Sequence, residues 1–196
     1  MAEIRPRKIQ GAWTDGYVLD LHSTGSTFLG HNELGHPEFE THRTEMGELL
    51  YRLKYRSEAA ALTDILVTAE EFIRSWGVTF SMIVPVPPSA QRRVQPVFQV
   101  AEGLGARFGV PVKMTAIQKS SRNHEQLKNV YDFDERRLLL DGAFAVSRSE
   151  VEGRRILLLD DLYRSGATLN AVAEALTNAG AAAVYALALT KTRRNA

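Results

Sequence analysis

The chain contains no cysteine. That absence excludes disulfide frameworks, thiolate zinc sites and cysteine nucleophiles together, and it fits a reducing compartment. No sign of charge dominates either. The 24 Lys and Arg face 23 Asp and Glu, leaving a formal charge of +1, so no global field draws the chain to nucleic acid or to an anionic membrane. Nucleic acid is therefore not expected as a direct partner, and any charge-based role has to be local. Long apolar runs are missing too. The first ten residues, MAEIRPRKIQ, hold no apolar core of signal-peptide length, and no stretch approaches the roughly 20 apolar residues of a membrane span. A soluble cytoplasmic protein with no membrane partner is the expectation.

What is present is a chain of 196 residues, 44% hydrophobic and 24% charged, enough for one well-cored domain with a small appendage. Residues 11–40 read as short strands and turns, with Asp15-Gly16 as a turn signal, Tyr17-Val18-Leu19 as a strand, and Gly25, Gly30 and Gly35 as punctuation. The division expected is a β-rich appendage over 1–43 and a core domain over 44–196. From Thr44 the period becomes helical: Met46, Leu49, Leu50 and Leu53, then Leu62, Ile65, Leu66, Ala69, Phe72 and Ile73, predict a helix broken near Ser57 and ending around Gly77.

Strand-then-helix units follow. Met82 to Val86, Val110 to Met114 and Ile156 to Asp160 are short unbroken apolar runs of the kind buried on both faces of a parallel sheet. The first precedes a helix bearing Val97, Val100, Ala101, Leu104 and Phe108. The third precedes one bearing Leu169, Val172, Ala173 and Leu176 and closed by Gly180. Val184 to Thr190 returns as a fourth strand through a right-handed crossover. The polar stretch over 118–142 is too poor in apolar residues to be core, and its length marks it as functional or as a solvated surface loop. The fold class is thus α/β, a parallel sheet flanked by helices.

One constellation carries chemistry. Ile156-Leu157-Leu158-Leu159 runs into Asp160-Asp161, and Leu162-Tyr163-Arg164-Ser165-Gly166-Ala167-Thr168 leads to a helix. Ligands bind at the carboxyl edge of open α/β sheets, where the following helix aims unpaired N–H groups and its positive dipole end. Gly166 permits a tight turn, and Ser165 and Thr168 add hydroxyl donors. Two carboxylates touching the same phosphate would repel it, so a ligand suiting both ends offers hydroxyls to the acids and phosphate to the loop, as ribose 5-phosphate does. An arbitrary Asp-Asp pair more often caps a helix or marks a turn; here strand, acids, small-residue loop and amphipathic helix coincide.

ILLLDDLYRSGAT resembles the phosphoribosyl pyrophosphate signature of type I phosphoribosyltransferases. With Tyr51-Arg52-Leu53-Lys54-Tyr55-Arg56, Ile83-Val84-Pro85-Val86-Pro87, Gln126-Leu127 and Gly142-Ala143-Phe144, the chain over roughly 44–192 is similar to the ComF family of competence-related phosphoribosyltransferase-like proteins. It departs from that family in having no cysteine for the N-terminal zinc module and in its segment from Asn129 to Asp141. The resemblance implies transfer of a phosphoribosyl group from phosphoribosyl pyrophosphate to a nitrogen acceptor. Asp160 and Asp161 would serve the ribose hydroxyls, Arg164, Ser165, Gly166, Ala167 and Thr168 the 5′-phosphate, and Pro87, Pro88 and Ser89 the pyrophosphate, with Arg92 and Arg93 one turn on. Lys119, Arg122, His124 and Lys128 would belong to a mobile closing loop. Mg²⁺ is expected to arrive with the substrate, its only candidate protein contacts being Asp160 and Asp161.

The resemblance also casts the appendage as a hood over the acceptor, with Trp13, Tyr17, His31 and Asn32 as contacts. His22, His31, His36 and His42 lack any metal-ligand spacing and read as scattered loop histidines. Relatives acting on 6-oxopurines place an Asp where this chain has Arg164. A cation cannot be that base, which disfavours hypoxanthine and guanine as acceptors. The alternative reading is a non-catalytic protein of the same fold that binds phosphoribosyl pyrophosphate or a nucleotide, for which the basic clusters Arg154-Arg155 and Lys191-Thr192-Arg193-Arg194 leave room. The oligomeric state is open, a homodimer included.

Overall fold

A computed structural model describes residues 1–88, 95–119 and 142–193. In chain order the strands are β1 (Arg7–Lys8), β2 (Asp15–Leu21), β3 (Ser23–His31), β4 (Pro37–Arg43), β5 (Met82–Pro85), β6 (Ile117–Lys119), β7 (Phe144–Val146), β8 (Arg155–Tyr163) and β9 (Ala183–Lys191). The helices are α1 (Glu45–Arg56), α2 (Ala59–Trp76), α3 (Pro96–Phe108), the single turn α4 (Arg148–Val151) and α5 (Ala167–Asn178).

The central sheet has five strands in the order β1-β2-β9-β8-β5, parallel throughout except for β1. Burial on both faces explains the unbroken apolar runs of its central strands in the sequence. In β8, Leu157 and Leu159 face the layer of α1, α2 and α3, while Ile156 and Leu158 face that of α5, and all four are fully buried. Each such side chain contributes roughly 1.5–3 kcal/mol through removal from water. β8, α5 and β9 form the crossover unit. Its helix ends as the sequence predicts: Gly180 at φ 93° follows the cap, and the Ala181 and Gly180 amides close onto the Leu176 and Thr177 carbonyls.

Two expectations need correction. The appendage was expected to begin at the N-terminus and run to residue 43, yet β2 lies inside the central sheet, parallel to β9, with Val18 and Leu19 fully buried. A seven-residue strand next to polar turns gives little periodicity, and only its pairing with a strand about 170 positions later reveals its place. Outside the sheet the N-terminal portion is the hairpin β3–β4, antiparallel from Ser23↔Arg43 to His31↔Pro37. The strand expected at Val110 to Met114 shrinks to one bridge, Val112 beside Ile83. Pro111 brings no N–H to the ladder, and the chain turns at Met114.

The helix expected over 44–77 breaks where the sequence suggests. Ser57 adopts a left-handed conformation (φ 53°), its amide returns to the Arg52 carbonyl, and α2 then ends at Gly77. At the other end of α1, Thr44 caps the Gly47 amide (3.1 Å) and donates its own hydroxyl to the Leu21 carbonyl (2.5 Å). Gly47 lies against the His22 carbonyl, where a Cβ has no room. This contact seats α1 on the end of β2. Gly47→Ala should therefore destabilise the protein by about 1–3 kcal/mol, measured as a lower midpoint in urea, while Ser57→Gly, which relieves a left-handed Ser, should raise the midpoint by roughly 0.5–1 kcal/mol equivalent.

Candidate active site

The buried apolar run of β8 ends at its carboxyl edge in Asp160 and Asp161, where burial gives way to partial exposure. All parallel strands end at this edge, so it also receives the exits of β2, β5 and β9. The Asp160 carboxylate accepts the Asp161 amide (2.9 Å) and the Leu162 amide, folding back over its own backbone. Burial first, and the like charge of Asp161 second, push the Asp160 carboxyl up to about 7. Asp160 thus keeps a proton well into the range where an ordinary carboxyl has lost it.

A lysine from each layer faces the acids. Lys119 in β6 lies in the field of Asp160 and donates to the Pro88 carbonyl (2.8 Å), and its burial lowers its own pKa. Lys54 in α1 stands 3.9 Å from Asp161. On the β9 side the Thr190 hydroxyl donates to the Asp161 carbonyl (3.1 Å) and meets His22 Nδ1 (3.4 Å). His22 is held below its ordinary pKa by burial and by the nearby charges of Arg43 and Lys54.

Beyond the acids, Arg164 to Gly166 turn the chain into α5. Gly166 is at φ 86°, and the space a Cβ would fill is taken by the Tyr163 phenol, so two constraints demand glycine here. The Ser165 hydroxyl sits 3.4 Å from the Ala167 amide, and the amides of Ala167, Thr168 and Leu169 open the helix without partners of their own within it. Gly166 and Ala167 are buried, Ser165 and Thr168 half-buried, and Arg164 exposed. Asn170, one turn on, receives the Ala12 amide (2.8 Å) and donates to the Gly166 carbonyl (3.1 Å), tying the N-terminal segment to the loop.

The structure thus brings together Asp160, Asp161, the loop 164–168, Lys119 and the exit of β5 at Pro87 and Pro88. Lys119 belongs to a strand rather than a loop, because β6 pairs antiparallel with β7, Lys119 opposite Phe144, and clamps the two ends of the polar excursion. Ser89, Arg92, Arg93, Arg122, His124 and Lys128 lie outside the described residues, as do Gln126-Leu127, the segment from Asn129 to Asp141 and Arg194.

Trp13 and Tyr17 are occupied elsewhere. Tyr17 packs edge-on against Phe72 and Trp76, and Trp13 lies on Gly11 and Gly16 with its indole donating to the Ile9 carbonyl. At the hairpin tip Asn32 builds the turn by accepting the Leu34 and His36 amides (3.0 Å each), and His31 meets Phe28 edge-on. His42 contacts the Thr27 hydroxyl. Among the described residues, no three His, Asp or Glu side chains cluster to hold a metal ion, and no helix is long and apolar enough to cross a membrane. The neighbours of the acids that the sequence did not nominate are Lys54, His22 and Thr190. Only for Lys54 is there a signal, its place in the Tyr51 to Arg56 stretch that carries the ComF resemblance and beside the core positions Leu50 and Leu53.

The phosphoribosyl transferase domain family matches residues 68–195. Competence protein ComFC of Bacillus subtilis is 27% identical over 187 residues, covering 91% of this chain and 71% of that protein. Adenine phosphoribosyltransferase from Leishmania tarentolae superposes with a TM-score of 0.51 at 10% identity, covering 95% of this chain and 94% of its own, a likeness of fold. The glutamine phosphoribosylpyrophosphate amidotransferase of B. subtilis gives 0.49 at 17% identity over 88% of this chain, which spans only 36% of that enzyme.

The titration of Asp160 has a measurable consequence. Its native pKa lies above the ordinary 3.8, so between about pH 4 and pH 7 the native state holds a proton that the unfolded chain has released. Stability from this group is therefore full below that window and lost as pH rises through it. Asp160→Asn should raise the thermal midpoint more at pH 8 than at pH 5; an equal gain at both would refute the assignment.

Proposed function

The chain belongs to the phosphoribosyltransferase family, with a ComF-like sequence, and from that premise we propose that it binds phosphoribosyl pyrophosphate and transfers the phosphoribosyl group to a nitrogen nucleophile, releasing pyrophosphate. The observation that supports this reading above others is the order along β8 and α5: two carboxylates at a strand end, a three-residue turn, and a helix N-terminus with open amides.

In this reading Asp160 and Asp161 accept hydrogen bonds from the ribose 2′ and 3′ hydroxyls. The amides of residues 166–168 and the hydroxyls of Ser165 and Thr168 receive the 5′-phosphate, with Arg164 at the rim. Pro87 and Pro88, stiffened by their rings and tethered through Lys119, border the space for the diphosphate, with Ser89 next in the chain. The carboxylates of Asp160 and Asp161 are hard oxygen donors suited to Mg²⁺, which keeps most of its shell for water and substrate phosphates. When bound, the metal stabilises negative charge on the departing diphosphate. The chain's own contribution is positioning: it fixes the sugar at both ends while the bond at the anomeric carbon stretches and the ring gains positive charge beside the carboxylates.

The hairpin β3–β4 rises from the edge where β2 ends, beside the acids, and in this reading it is the hood of an otherwise single core domain. His31 and Asn32 at its tip are its candidate acceptor contacts. Arg164 stands where a 6-oxopurine enzyme would need a carboxylate base, so hypoxanthine and guanine are not the acceptors.

Purified protein with Mg²⁺ and phosphoribosyl pyrophosphate should release pyrophosphate with at least one member of a panel of adenine, pyrimidine and amine acceptors, and not with hypoxanthine or guanine. Asp160→Asn should abolish both donor binding by calorimetry and release. Donor binding with no release across the panel would instead favour a non-catalytic protein of the same fold that binds phosphoribosyl pyrophosphate or a nucleotide.

A further inference from the structure

We propose that Lys54 is a positioning residue of this site, whose ammonium group holds the Asp161 carboxylate in the orientation that receives a ribose hydroxyl. The inference rests on the donor-binding reading above, which gives α1 no part.

The geometry begins with the rigidity of the lysine's base. Leu50 and Leu53, on the same helix face, are buried in the core, and Thr44 and Gly47 fix the start of α1 on the chain leaving β2. Lys54 therefore reaches the strand edge from a fixed point. Arg43 stacks on Tyr51 of the same helix at 4.0 Å, and Tyr51 meets Tyr55 at 5.0 Å. The ammonium lies 6.0 Å from the Tyr55 ring and 3.9 Å from Asp161.

The separation of 3.9 Å is what makes the contact useful. It is too long for a hydrogen bond, so the lone pairs of the carboxylate stay available to a hydroxyl, yet it is short enough for the charge to bias the side-chain rotamer. Asp161 needs that bias. Its backbone is pinned by the Thr190 hydroxyl at the carbonyl, and its carboxylate is engaged by both the Asp160 carboxyl and the Lys54 ammonium, so the lysine helps to decide its direction. Lys119 sits with Asp160 in the opposite layer, so Lys54 is the cation in ion-pair range of Asp161 among the described residues. Both side chains are about one-quarter exposed, 25% for Lys54 and 28% for Asp161. Three-quarters buried, the ammonium acts on the carboxylate through little water, so its charge is only partly screened.

Calorimetry of the full chain with ribose 5-phosphate and, separately, with inorganic phosphate tests this, because phosphate probes the loop without the diol. Lys54→Met should weaken ribose 5-phosphate roughly tenfold, the worth of one charge-assisted hydrogen bond, and leave inorganic phosphate unchanged; Lys54→Arg should recover most of the loss. Equal loss of both ligands, or ribose 5-phosphate bound as tightly as by the wild type, would overturn the proposal. A wild-type protein that binds neither ligand would overturn the donor-binding reading and this inference together, whereas a wild-type preference for the sugar untouched by Lys54→Met would remove the inference alone.

Discussion

Two carboxylates on consecutive residues, at the point where a fully buried strand meets solvent, are the constraint that the rest of the structure accommodates. Like charges this close, one of them deeply desolvated, raise the energy of the folded state unless a proton, a cation or a ligand hydroxyl offsets them. The chain retains the cost. It answers with a proton kept on Asp160, a lysine in each layer, and backbone amides from the strand's own end. Groups held at such a cost are characteristic of functional sites.

Each element around the acids is placed by packing that has nothing to do with ligand. Burial of Leu50 and Leu53 brings α1, and hence Lys54, to the strand edge. Pairing of β6 with β7 brings Lys119 to Asp160 and to the Pro88 carbonyl. The entry of β2 into the sheet places His22 and the root of the hairpin at the same edge. Three distant segments thus converge on the edge where the parallel strands β2, β5, β8 and β9 end.

A solved structure at 10% identity shares the fold, as expected of a scaffold whose core tolerates exchange among apolar residues of similar volume. The hairpin carries Phe28, Leu29, Leu34 and Phe39, all more than half exposed, and its base is tied to the body in part through Arg193 donating to the Thr24 carbonyl.

Much of this was legible before any coordinates. The apolar runs that became β5, β8 and β9, the helical periods of α1, α2, α3 and α5, the break at Ser57 and the adjacency of the Asp pair to a glycine-bearing turn are local patterns, each set by residues within one or two turns of one another. The sequence determined those because side-chain periodicity and backbone preference act over short range. Only the tertiary structure decided that β2 belongs to the sheet, that Val112 forms a bridge instead of a strand, that Trp13 and Tyr17 are packing residues, and that Lys54, His22 and Thr190 surround Asp161. The reason is physical: these facts depend on hydrogen-bond partners and charges tens to well over a hundred residues away in the chain, and no local pattern encodes a contact between segments that meet only when the core closes.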